Sequence, residues 1–239
     1  MVNLFYIEMM KQSKRKILLY TNLFAVLIGI LYSFLYRNSS MALTGQLSYH
    51  IMIPFCKVFQ LFVLIPAIYG VSSDITSGYI GDLIAYGYQR QKIYFMEVVI
   101  AFMNFLFTNF VLMASIFLGC SLLNGLGKVN LIFWIQSALF FVLYLYIMFL
   151  LGFIIAVYFG DLLKITVAYT TFFMGYQIFF ILPVVNELGL MKFAFFSMGD
   201  QVFHIYQNGN DIKHFLLCGI TYLLIFKVTS YLEFYRKEF

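Results

Sequence analysis

Residues 72–97 read SSDITSGYIGDLIAYGYQRQKIYFME, a polar and charged passage that divides two long apolar runs, residues 49–71 and 93–120. It carries Asp74, Asp82, Arg90, Lys92 and Glu97 at helix-like spacing. Outward from it, the chain is hydrocarbon. A bilayer core of roughly 30 Å takes about 20 apolar residues in helical form, and six runs qualify: residues 17–36, 49–71, 93–120, 131–158, 165–185 and 215–232. The composition is 63% hydrophobic and 10% charged, against roughly 25% charged in soluble domains, which excludes a soluble globule. The third and fourth runs are the longest and are expected to tilt or project. Too little remains for a separate soluble core. The reading is a single all-α polytopic domain over residues 1–239 with six membrane spans.

The charge pattern orients it. The net charge is +5. Nine bases fall on the side of both termini (Lys11, Lys14, Arg15, Lys16, Arg90, Lys92, Lys164, Arg236 and Lys237) and four on the other (Arg37, Lys128, Lys192 and Lys213). Positive-inside bias then predicts a multi-pass protein of the cell membrane with both termini cytoplasmic, and makes the basic excess a matter of topology and lipid, not nucleic acid. Residues 20–36 are too long for the apolar centre of a cleaved signal and no small-x-small site follows, so the first span is expected to stay.

The flanking segments follow from this topology. Residues 1–16 place Phe5, Tyr6, Met9 and Met10 before Lys11, Lys14, Arg15 and Lys16. That is an interfacial elbow helix with its bases on anionic headgroups, or equally a basic tail that fixes orientation. The last outer loop, residues 186–213, is too aromatic for a solvated linker and is expected to form interfacial or re-entrant helices capping the outer mouth. Phe159-Gly160-Asp161 makes a tight turn. Ala25, Gly29 and Ser33 in the first span, and Gly152, Ala156 and Gly160 in the fourth, recur at every fourth position and mark faces of close helix approach.

Catalytic patterns are missing. There is no HExxH, no GxSxG and no Ser/His/Asp set on facing spans. Gly125-Leu126-Gly127-Lys128 has the glycines and lysine of a phosphate loop, but Val129 stands where Ser or Thr is needed. His50, His204 and His214 fall at or beyond the outer edge, and Cys56, Cys120 and Cys218 read as small buried hydrophobes. No catalytic residue, metal site or bound cofactor is expected. Only Lys57 and Lys227 lie deep in spans, each able to snorkel to an interface. No Asp or Glu occupies the middle of a span, which argues against a proton- or sodium-coupled carrier. Lys57 with Gln60, Asn104, Asn109, Gln136 and Gln177 is a candidate translocation cavity, the amides serving otherwise as interhelical hydrogen bonders. The chain has the form of a conduit whose engine is elsewhere, and residues 72–92 are its docking segment: a short helix begun near Asp74, a turn and a re-entering helix.

The order Asp74-x-x-x-Gly78, Leu83, Gly87-x-x-Arg90-x-x-Ile93-Tyr94 and Glu97, after the second of six spans, resembles the permease subunits of type-2 ABC exporters. Glu97 stands near where that family often carries Lys. Residues 1–16 are similar to its elbow helix and residues 186–213 to its extracellular hairpin. The resemblance implies a permease that pairs with a second copy or a paralogue and with two ABC ATPase subunits, which bind ATP and magnesium. Asp74, Gly78, Asp82, Arg90, Lys92 and Glu97 would then be the ATPase-coupling residues. Composition and the lack of a large outer domain look like members from Gram-positive bacteria that export, or give self-immunity against, amphipathic antimicrobial and cytolytic peptides. Drug, lipid or polysaccharide cargo, and a non-transport anchor or sensor with a soluble partner, are the alternatives.

Overall fold

Backbone amides in hydrocarbon must bond within their own segment, and helices do this. The computed structural model describes residues 2–13, 16–35, 37, 44, 62–127, 131–181, 198 and 211–239, and no strand occurs among them. The elements are α1 (Val2–Ser13), α2 (Lys16–Leu35), α3 (Phe62–Thr76), α4 (Tyr79–Ala85), α5 (Arg90–Asn124), α6 (Leu131–Phe159), α7 (Leu162–Ile181) and α8 (Asp211–Arg236).

Among the described residues, four stretches are long and apolar enough to cross a membrane: Lys16–Leu35, Arg90–Asn124, Ala138–Phe159 and Ile212–Arg236. Phe62–Thr76 and Leu162–Phe172 are shorter apolar helical stretches. This is a helical membrane protein. At 35 residues, α5 is about 52 Å long, well beyond the hydrocarbon thickness. Residues 49–61 of the second expected span, with Lys57 and Gln60, lie outside the described residues, as do Lys14 and Arg15. So does nearly all of the expected outer cap, apart from Met198, which is buried near Gly219, and the start of α8 at Asp211.

The small-residue faces pack as their spacing implies. Ala25, Gly29 and Ser33 are buried where α2 meets α5. A Cβ on Gly29 would sit 2.5 Å from the Ser115 Cβ, and Ser33 Oγ donates to Gly29 O at 2.9 Å and lies 3.3 Å from Ile116 O. Gly152 of α6 leaves room for Leu64 of α3, whose Cδ2 would lie 2.6 Å from an added Cβ. The middle of the bundle is α6. Of its membrane window 67% is buried, against 22–28% for α2, α5 and α8. Tyr144, Phe149 and Phe153 fill the centre. The α6–α7 turn is the expected one: Gly160 has φ +69°, and Asp161 Oδ1 caps α7 by accepting the Leu163 N–H at 2.8 Å.

Candidate functional site

The segment after α3 turns twice, each time at a glycine. Gly78 (φ +77°) ends α3 and Gly87 (φ +88°) ends α4. Tyr88 N–H bonds Leu83 O at 3.1 Å and Gly87 N–H bonds Ile84 O at 2.9 Å, the paired arrangement that closes a helix on a left-handed glycine. The helix, turn and re-entering helix expected from sequence are all there. One detail is corrected: Asp74 lies in the last turn of α3, not at a helix start. Its carboxylate therefore opposes the α3 dipole, and the dipole-favoured first turn of α4 holds Asp82 instead.

What compensates Asp74 is α1. Lys11 Nζ donates to Asp74 Oδ1 at 2.6 Å and lies 3.4 Å from Glu8 Oε1, 3.6 Å above the Tyr79 ring. Glu8, Asp74 and Glu97 are 0%, 1% and 1% exposed, and each brings a carboxylate oxygen within 4.8 Å of the other two. That spacing would also accept a metal cation, but Lys11 already supplies positive charge there. Burial, and next the Asp74 charge, push the Glu8 carboxyl up from its ordinary range, Lys11 opposing. Burial, and next Glu8, push the Tyr79 hydroxyl up to about 12, so it stays neutral. The expectation for Lys11 is corrected: it turns inward to Asp74, not outward to headgroups. The outward face of α1 is Phe5, Tyr6, Ile7, Met9 and Met10.

The segment after α8 holds the other flank. Arg90 Nη1 donates to Tyr235 O at 2.8 Å and to Lys237 O at 3.2 Å, with its guanidinium near the rings of Tyr235 and Phe239. Gly81 of α4 lies against Phe239, whose carbonyl carbon would be 3.3 Å from an added Cβ. Lys237 Nζ donates to Val157 O at the end of α6, where a cation meets the negative end of the dipole; burial pulls this ammonium's pKa down. Ser72 Oγ donates to Gly160 O at 2.5 Å. α3, α4, α5, α6 and α8 are thus joined at one end of the bundle.

Six residues of the 72–97 passage were expected to dock a partner, and the structure separates them. Asp74 and Arg90 turn inward to the Lys11 ammonium and to the Tyr235 and Lys237 carbonyls, and Glu97 is buried beside Asp74 and Glu8. Gly78, Asp82 and Lys92 are exposed. Beside them stand two residues sequence reasoning passed over, Tyr86 (82% exposed) and Tyr88 (40%). Their signal was available: aromatics in a turn between spans have no hydrocarbon to enter. Glu8 was also missed, although one acid in an apolar helix three residues before a lysine points to burial with a partner. Of the expected cavity residues, Asn109 is buried with Nδ2 bonded to Phe105 O at 2.9 Å on its own helix, and Asn104 is half-buried on the same helix. Gln136 and Gln177 lie on α6 and α7 with their side chains outside the described residues. Lys16 is exposed at the start of α2.

Compared with protein-family models, with curated proteins and with solved structures, the chain matches none.

Proposed function

We propose that this chain is the membrane permease subunit of an ATP-driven ABC exporter, with six spans and both termini in the cytoplasm. It pairs with a second permease copy or a paralogue, and ATP is hydrolysed by a separate subunit. Amphipathic peptides are the cargo. The observation that supports this reading most is the outer face of α4 and its flanks: Asp82, Tyr86, Tyr88 and Lys92 exposed together, on a helix held from below by α1 and by residues 233–239. A rigid lever with a free aromatic and acidic face is what transmits motion from a soluble partner to helices. Were the face loosely hinged, a partner's push would be absorbed before it reached α5.

The test is co-expression with a candidate ATPase subunit, followed by co-purification and ATP turnover in nanodiscs with and without a cationic amphipathic peptide. Asp82→Lys with Tyr86→Ala is expected to abolish co-purification and peptide-stimulated turnover while the thermal midpoint of the permease alone shifts little. Unchanged association and turnover in that variant would refute the docking face.

A further inference from the structure

A groove of about 500 Å³ runs between α5 and α6 beside α8, lined by Tyr94, Phe102, Met103, Tyr146 and Lys227 among others. A second, of about 520 Å³, continues along the same seam past Asn109, Phe110 and Met113. Val142 lines both. The two grooves meet at Val142 and together form an apolar seam along α5 and α6, partly open to the side.

Lys227 is its anomaly. It is exposed, belongs to no ion pair among the described residues, and sits nine residues before Arg236, roughly 14 Å along α8. A cation so placed in an apolar groove is expensive without a counter-ion. Among the described residues, the polar groups of the wall around it are the phenols of Tyr94 and Tyr146, and the Tyr94 hydroxyl shares a 2.7 Å hydrogen bond with Ser230, one turn further along α8. The charge is unmet and the cleft is apolar and long. An anionic membrane lipid meets both conditions, its phosphate on Lys227 and an acyl chain along the seam. A cationic peptide would be repelled by the same lysine, so the site does not depend on the exporter reading.

We infer that the α5–α6 seam is a binding site for an anionic phospholipid, selected over zwitterionic lipid by Lys227. The experiment is electron paramagnetic resonance of the full chain in nanodiscs, with spin-labelled phosphatidylglycerol and phosphatidylcholine as probes, reading the motionally restricted fraction. Phosphatidylglycerol is expected to be favoured about fivefold, the ratio that ~1 kcal/mol per basic residue implies. Lys227→Gln should bring the ratio near one, and Lys227→Arg should keep it. Val142→Trp, at a site 42% exposed and so able to take the larger ring, should lower the restricted fraction of both lipids. No preference in the wild type would overturn the inference. So would a preference that survives Lys227→Gln but is lost in Lys92→Gln, because the rim bases would then be the selectors. Unchanged binding in Val142→Trp would remove the seam as the location.

Discussion

The two faces of the α4 turn are made from the same stretch of chain and are used in opposite ways. On the inner face, Asp74, Glu97 and Arg90 meet α1 and the segment after α8 through bonds of 2.6–3.2 Å or through close packing. On the outer face, Asp82, Tyr86, Tyr88 and Lys92 are exposed. In a row of charges at a membrane edge, sign and spacing alone do not distinguish these roles. The distinction comes from whether another element brings a counter-charge within bonding distance before a partner arrives. The inner set fixes the pose of α4, and the outer set is left for recognition.

The sharpest way to break this contrast is Lys11→Met, which leaves three buried carboxylates with no cation on α1. Removing one member of a buried charge cluster costs about 3–5 kcal/mol, so a large drop in the detergent unfolding midpoint is expected, with faster proteolysis between α1 and α2. Asp82→Lys should cost about 1 kcal/mol or less, the loss of an exposed acid from the first turn of α4. If Lys11→Met were as mild, the inner face would be no more built than the outer one.

Much of this end of the molecule was legible in the sequence, and for physical reasons. Apolar run length announced the helices, Gly78, Gly81 and Gly87 announced turns or close approach, and Ala25-Gly29-Ser33 announced a close-packed face though not its partner α5, because each rests on local rules. The partners of Asp74 and Arg90 were not legible. Lys11 is 63 residues away from Asp74, and the carbonyls bound by Arg90 lie 145 and 147 residues away. No periodicity encodes such pairings. Lys11 read as a headgroup contact because a base after apolar residues usually is one; the buried Glu8 beside it was the sign that this one turns inward.

Arg90→Ala is expected to have a smaller effect than Lys11→Met. It removes two charge-assisted bonds to carbonyls, each weakened by competition from water, and an overall loss of about 1.5–3 kcal/mol is expected. Arg90→Lys should recover only part of it, since an ammonium lacks the planar face that the guanidinium sets near the Tyr235 and Phe239 rings. The readout is unfolding midpoint together with hydrogen exchange of α4 amides, which should quicken in Arg90→Ala. Exchange unchanged in α4 would mean that the segment after α8 does not help fix its pose.

The subtlest test is pH, and it asks whether the inner face is short of positive charge. Glu8 and Asp74 share Lys11 with the Glu97 carboxyl close beside them, and Tyr79 stays neutral because its hydroxyl is held up at about 12. Glu8 is the acid raised above its ordinary value of 4.5, so the folded protein holds that proton more tightly than the unfolded chain does. The sign follows. Below 4.5 both states are protonated and Glu8 has no effect. As pH climbs from there through the raised folded value, the folded state must give up a proton it prefers to keep, and stability falls, by about 1.4 kcal/mol for each unit by which the value is raised. Glu8→Gln keeps the shape without the ionisation. The unfolding midpoints of wild type and Glu8→Gln, measured from pH 4.5 to 8, should therefore diverge as pH rises, the variant gaining relative to wild type. Parallel curves would mean that Glu8 ionises like an exposed glutamate, and that Lys11 alone balances a cluster less crowded than its geometry implies.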